Sequence, residues 1–325
     1  FCNRQPKISP IGLGSTIRPT TGTRDRRIVL KILVTGASGF LGLHLCERLI
    51  IEGHEVTALR HSEALARSTS PGIPEITADV RDADAMLRRV RGFDAVIHAA
   101  ASIAYWPPNS SEQEAINVGG SHNVAAACRV NGIGRLIHVS SVGAIGIPMK
   151  GQPPADESFT FNLEGKGLTY HESKHRGEAM VREQIANGLD AVIVNPGWIF
   201  GPDRQGYRGW QMLEKCIDRR VAGYFMGGLS AVHVDDVVTG INSALTAASG
   251  DQFILAGQNV TFKEIAQHVA RRTGSNPILV PVYSPVSAIA ATVFEQIAKR
   301  NGRSPRMSRG GHITGQLMNH YSSDH

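Results

Sequence analysis

Lys31-Ile32-Leu33-Val34-Thr35-Gly36-Ala37-Ser38-Gly39-Phe40-Leu41-Gly42 is the stretch on which the reading of the fold turns. A short, mostly apolar run enters glycines spaced G-x-x-G-x-x-G, and an apolar-periodic segment follows to about Ile51. This reads as strand, tight turn and helix. Gly36 permits the turn, Gly39 lets backbone N–H groups approach a phosphate, and Gly42 lets helix and strand pack closely. The helix N-terminus then faces an anionic pyrophosphate, which predicts a dinucleotide site.

Outward from this turn the chain alternates. Strands are predicted at Lys31–Thr35, Glu55–Leu59, Ala95–His98, Leu136–Ser140 and Ala191–Asn195, with helices from about Gly39 to Ile51 and near 112–131 and 170–187. That order predicts an α/β fold, a doubly wound parallel sheet of Rossmann type with a smaller C-terminal substrate lobe. After Pro196 the pattern breaks up, and Val232–Val238 and Gln252–Leu255 are expected to return to the sheet. Val286, Ile289, Ala290, Val293, Phe294 and Ile297 recur at helical spacing and mark an amphipathic helix. The boundaries expected are a dinucleotide-binding domain over 28–195, rejoined by 231–255, and a substrate-binding lobe over 196–230 and 256–325. Residues 1–27, rich in Pro, Gly, Thr and Arg, read as a disordered or non-native extension, with the functional start expected near Leu30. The C-terminus is expected to be truncated.

The net charge of +6 is concentrated at the ends of the chain, while residues 28–298 are slightly acidic. This body has no electrostatic footprint for nucleic acid. The four cysteines (Cys2, Cys46, Cys128 and Cys216) form no C-x-x-C pair, which suits unpaired thiols in a reducing compartment. No apolar run reaches the ~18 residues of a membrane span, and a cytoplasmic location is expected.

The second strand ends Val56-Thr57-Ala58-Leu59-Arg60-His61, with no acidic residue before Ser62 to hold a ribose 2′-hydroxyl. Arg60 is instead placed for a 2′-phosphate, so NADP is preferred, with NAD the alternative.

Tyr170 and Lys174 stand as Y-x-x-x-K on a predicted helix. The ordinary tyrosine pKa, about 10, is too high for a base at neutral pH, and an ammonium one turn away stabilises the phenolate. His171-Glu172-Ser173-Lys174-His175 is also a formal H-E-x-x-H, the zinc-protease pattern. No G-x-x-H extension or third ligand follows it, and a protease would leave the glycine turn without a purpose. No metal is expected.

In order along the chain follow Asp79-Val80, His98-Ala99-Ala100-Ala101, Asn117-Val118-Gly119-Gly120-Ser121, Ser140-Ser141, Tyr170 with Lys174, Asn195-Pro196-Gly197 with Gly201-Pro202, and His233-Val234-Asp235-Asp236. With the glycine turn, this ordered set resembles the extended short-chain dehydrogenases/reductases, the superfamily of NAD-dependent epimerase/dehydratases. The resemblance implies that Tyr170 is the acid/base, that Lys174 binds the nicotinamide ribose, and that Ser141 polarises the substrate oxygen. Ser141 rather than Ser140 stands at the family's position, five residues before Gly146. It also implies an active-site place for Asn117 and adenine contacts from Asp79 and Val80. Gly36, Ser38, Gly39, Phe40, Leu41, Gly42, Ala99, Ala100 and Pro196 complete the implied cofactor contacts.

Epimerases of nucleotide sugars carry an arginine four residues before the histidine of H-V-D-D. Here that position is Leu229. Pro281–Pro305 is similar to the dihydroflavonol-reductase-like and 3β-hydroxysteroid-dehydrogenase-like branches. Trp106, Trp198, Phe200, Trp210, Tyr224 and Phe225 could line an apolar cleft, and Arg204 and Arg208 could replace the absent clamp. The reading is hydride transfer between the nicotinamide and a ketone or alcohol on a hydrophobic or cyclic small molecule. A nucleotide-sugar epimerase is the alternative, and a non-catalytic NADP-binding regulator is a third. By resemblance, the helices near 112–131 and 170–187 pair two subunits into a homodimer.

Overall fold

The computed structural model describes residues 28–61, 72–103, 110–149, 151–202, 221–303, 305 and 307–323. Residues 1–27, Cys216 and the proposed cleft residues Trp106, Arg204, Arg208 and Trp210 lie outside them.

The chain opens with β1 (Lys31–Thr35), α1 (Phe40–Ile51), β2 (Glu55–Arg60), β3 (Glu75–Thr77), α2 (Ala83–Arg89) and β4 (Ala95–His98). Helix α3 (Ser110–Gln113) runs into a π-helical turn, Glu114–Gly120, and then α4 (Ser121–Val130). Next come β5 (Arg135–Val139), a 3₁₀ turn at Val142–Ala144, α5 (Thr169–Ala186), β6 (Ala191–Pro196) and β7 (Trp198–Phe200). The remainder holds β8 (Val221–Phe225), β9 (Gly228–His233), α6 (Val234–Ala244), β10 (Gln252–Leu255), β11 (Gln258–Thr261), α7 (Phe262–Thr273), β12 (Ile278–Val282), α8 (Ser284–Asn301) and α9 (Arg309–Gln316).

Seven strands form the main sheet in the order β10-β6-β5-β4-β1-β2-β3, every neighbouring pair parallel. The order reverses between β1 and β4, where a doubly wound sheet opens its ligand crevice. Central strands are apolar on both faces, as a sheet covered by helices on both sides requires. On one face Ile32, Val34, Ile97, Ile137 and Val194 pack with Leu45 and Leu49 of α1 and Val237 and Ile241 of α6. On the other, Leu33, Val96, Leu136 and Ile193 pack with Val124 of α4 and Val181 of α5.

The segment 232–238 departs from expectation. Only Gln252–Leu255 joins the main sheet, beside β6. Residues 228–233 belong to a three-stranded sheet, β11-β9-β7, and Val234 begins a helix. Val234, Val237, Val238 and Ile241 repeat at helical spacing, so their apolar character reflects one helix face rather than a strand.

The amphipathic segment 286–297 is helical, but its large apolar side chains face outward. Val286 is 66% exposed and Ile289 69%, while Ser287, Ala291 and Ala298 are buried. The small side chains let α9 approach, and Ser287 Oγ bonds to His312 Nδ1 at 2.8 Å. Near the C-terminus Tyr321 is buried and its hydroxyl donates to the Gly146 carbonyl at 2.8 Å. Among the described residues, no helix is long and apolar enough to cross a membrane.

Candidate active site

The glycine turn closes against the loop after β4. Gly36 has φ +69°, open to glycine at little cost, and a Cβ there would lie 2.6 Å from the Ala100 nitrogen. Gly42 packs so tightly on the Gly36 carbonyl that no side chain fits between them. The Ala99 and Ala100 amides bond to the Thr35 carbonyl and hydroxyl, both at 3.2 Å. Gly39 caps α1 with no side-chain acceptor, and the first turn holds no acidic residue. Its N–H groups and the helix dipole therefore form an anion cradle, which fits a dinucleotide pyrophosphate. Ser38, Phe40 and Leu41 are half-buried around it, and buried Pro196 ends β6.

Arg60 ends β2 as expected but is not idle. Its Nη1 donates to Glu75 Oε2 at 2.5 Å. Glu75 on the neighbouring strand is the partner that sequence reasoning missed, because β3 is only three residues long. Asp79 is held by Arg81, whose side chain and backbone both donate to it, and this keeps its carboxyl below the usual range. Val80 is buried under α4, where a Cβ at Gly120 would meet its side chain at 2.8 Å.

Tyr170 and Lys174 lie one turn apart on α5, hence along one face. Tyr170 is half-buried and meets the His171 ring edge-on at 5.7 Å. Lys174 is 3% exposed, and its Nζ donates to the Val139 carbonyl at 2.8 Å. Burial pushes its ammonium down to about 8, opposed by the charge of Glu178. Ser141 opens the 3₁₀ turn, its Oγ accepting the Gly143 N–H at 3.1 Å.

Asn117 sits in the π turn, buried, with its carboxamide fully engaged. Oδ1 accepts the Ser102 amide at 2.8 Å, while Nδ2 donates to the Ser102 carbonyl at 3.0 Å and to Ser173 Oγ at 2.9 Å. It thus clamps the loop after β4 to α5. π turns occur often at functional sites, and this one aims Asn117 inward.

The two histidines of H-E-x-x-H are engaged in packing. His175 stacks on Phe161 at 4.0 Å and bonds to the Ala144 carbonyl, and His171 is buried against Gly143. Among the described residues, no group of three or more His, Cys, Asp or Glu side chains is placed to hold a metal.

A row of buried polar side chains beneath Lys174 had no sequence signal as a set. Thr35, His98 and His138 stand opposite one another on β1, β4 and β5. His98 Nδ1 bonds to Thr35 Oγ1 at 2.7 Å, and its ring lies 5.5 Å from that of His138. Burial, with Lys174 adding to it, holds both imidazoles neutral, His98 down to about 3.

A family model described as "NAD dependent epimerase/dehydratase family" matches residues 32–256. A Synechocystis sp. protein with the provisional name dihydroflavonol 4-reductase is 31% identical over 289 residues, 86% of this chain and 82% of its own length. The 2-alkyl-3-oxoalkanoate reductase of Stenotrophomonas maltophilia is 29% identical over 270 residues, covering 76% of each chain. The crystal structure of gox2253 superposes with a TM-score of 0.74 at 30% identity, covering 90% of both chains.

Proposed function

The chain belongs to the NAD-dependent epimerase/dehydratase family, and on that premise we propose that it interconverts a ketone and an alcohol on a hydrophobic or cyclic substrate. Tyr170 is the acid/base in this reading. The observation that carries it is the pairing on α5 of Tyr170 with a buried Lys174 anchored on the Val139 carbonyl.

Gly36, Gly39, Gly42 and the first turn of α1 would hold the pyrophosphate, and Lys174 the nicotinamide ribose. When bound, the dinucleotide supplies or accepts the hydride. In the reducing direction Tyr170 Oη gives its proton to the carbonyl oxygen. Ser141 Oγ, which already accepts from Gly143, donates its own hydrogen to that oxygen and steadies the developing charge. The Lys174 ammonium stabilises the phenolate left behind. Asn117 positions the loop after β4 rather than moving a proton. Arg60 and the lack of an acid at 56–62 support NADP over NAD, with the 2′-phosphate competing against Glu75 for the guanidinium.

The names of the two reductases support a ketone substrate with apolar bulk. Leu229, wholly buried where nucleotide-sugar epimerases carry an arginine, counts against a diphosphate clamp. The residues after Pro196, apart from 231–255, are assigned to substrate binding, and α4 and α5 to pairing of two subunits.

The test is a screen of ketones, sterols and nucleotide sugars with both dinucleotides, followed by nicotinamide absorbance. Net absorbance change supports the ketone reading, and conversion without it supports epimerisation. Tyr170→Phe should cut turnover by about 100-fold or more while cofactor Kd stays unchanged. Equal turnover in that variant would remove Tyr170 from its role.

A further inference from the structure

One turn beyond Lys174 on α5 stands a second buried charge that the acid/base chemistry does not use. Glu178 is 5% exposed. Its Oε1 accepts Asn195 Nδ2 at 2.6 Å, and its Oε2 accepts Gln252 Nε2 at 3.3 Å. Gln252 also donates to Asn195 Oδ1 at 2.7 Å, and the Arg182 guanidinium reaches Gln252 Oε1. The same Asn195 Nδ2 donates to the backbone carbonyl of Ser141 at 2.8 Å. One carboxyl group on α5 is therefore joined to β6, to β10 and to the turn that carries the candidate serine.

We propose that Glu178 is a positioning residue of the active site, a buried carboxylate that keeps Lys174 charged and fixes the Ser141 turn through Asn195. The proposal rests on the reading of Tyr170 and Lys174 given above. Its physical basis is the cost of burying a lone ammonium, which is tolerable only with a compensating charge or strong hydrogen bonds. The ionisable groups that face Lys174 among the described residues are Tyr170 and Glu178 on its own helix, His98 on β4 and His138 on β5. Both imidazoles are held neutral, and in the proposed mechanism Tyr170 carries charge only once it has given up its proton, so Glu178 brings the standing negative charge. Arg182, a turn further along α5, and Lys174 are the cations that face Glu178 in return. Burial pushes the Glu178 carboxyl up, and the Ser140 hydroxyl, the Asn195 amide and these two cations oppose that rise.

The decisive variant is Glu178→Gln, which keeps shape and an acceptor for Asn195 but removes the charge. In the oxidising direction Tyr170 is the base and needs the Lys174 ammonium beside it. There the alkaline limb of the kcat/KM pH profile, set by loss of the Lys174 proton, should move down by about one pH unit or more. Glu178→Asp retains the charge at shorter reach and should keep the wild-type limb at lower kcat. The cofactor-free protein gives a second readout. Glu178→Gln should lower the urea midpoint at about pH 7, where Lys174 is charged, and the deficit should vanish by about pH 10, where it is neutral in the fold.

A Glu178→Gln profile that overlays the wild type, or a stability deficit equal at both pH values, overturns the proposal. If Glu178→Gln does not fold, an alkaline limb displaced in Glu178→Asp overturns it, because the charge is still present. Turnover that survives Tyr170→Phe overturns the underlying reading as well. An inactive Tyr170→Phe beside an unmoved Glu178→Gln profile sinks only the role of Glu178.

Discussion

Gly177 of α5 lies directly against the backbone carbonyl of Asn117, leaving no room for even a single carbon between them. That contact sets the distance between the helix carrying Tyr170 and Lys174 and the π turn carrying Asn117. Gly177→Ala should therefore push the two apart. Overpacking of this kind costs about 1–3 kcal/mol. The expected result is a lower urea midpoint together with a fall in kcat, although residue 177 touches neither reacting group. Loss of stability with kcat intact would show that the spacing tolerates movement.

Gly42→Ala tests the cofactor cradle. Its methyl group would be driven into the Gly36 carbonyl, which must shift for α1 to stay seated on β1. Dinucleotide binding should weaken by about 10-fold or more, as tight contacts next to a phosphate tolerate little displacement. Isothermal titration with NAD and NADP gives the answer directly, and unaltered affinity would separate the turn from the cofactor.

The pairing of Arg60 with Glu75 makes cofactor choice adjustable. Glu75→Gln removes the charge that competes with a 2′-phosphate for Arg60, so NADP affinity should rise severalfold, about fivefold for ~1 kcal/mol, with NAD affinity unchanged. Arg60→Ala should weaken NADP alone. Equal effects on the two dinucleotides would mean that Arg60 does not meet the 2′-phosphate.

Buried neutral histidines predict acid sensitivity. Burial pushes His98 down to about 3 and His171 to about 4, from an ordinary 6.5. Between those values and 6.5 the unfolded chain binds protons that the folded chain does not. Their contribution is complete above 6.5 and is lost as pH falls, at up to ~1.4 kcal/mol per pH unit for each group. His171 Nδ1 meets no hydrogen-bond partner among the described residues, so His171→Leu removes a titration without breaking a bond there. Its stability measured from about pH 7 to about pH 4.5 should fall less steeply than that of the wild type.

The parallel sheet was legible because each of its principal strands is a short apolar run, and a strand buried on both faces needs little else. Lys31–Thr35 and Ala95–His98 match the expected bounds, Glu55–Arg60, Arg135–Val139 and Ala191–Pro196 differ by a residue, and the three-residue Glu75–Thr77 was not expected. The helix at 234–244 was misread because Val-Asp-Asp-Val-Val fits either period when read over so few residues. The outward face of α8 escaped notice for another reason. Periodicity locates an apolar stripe but does not say which side packs, and here the small residues Ser287 and Ala291 decide it.

Local motifs placed Gly36, Tyr170 and Lys174, whose roles depend on neighbours along the chain. The engagement of Arg60 by Glu75, the clamp made by Asn117 and the Glu178–Asn195–Gln252 network join residues 15 to 74 positions apart. Such pairings are products of strand order and leave no trace in spacing.

The π turn at Glu114–Gly120 carries one more residue in its loop than an α-helix would. Excising a single residue from it would restore ordinary winding and take away the wide turn from which Asn117 reaches Ser102 and Ser173. The flanking turns would keep their register, with Ser121 still beside His98, while the Asn117 clamp on the loop after β4 would be lost. A one-residue deletion here should therefore free the loop after β4 from α5 as fully as loss of the Asn117 side chain does.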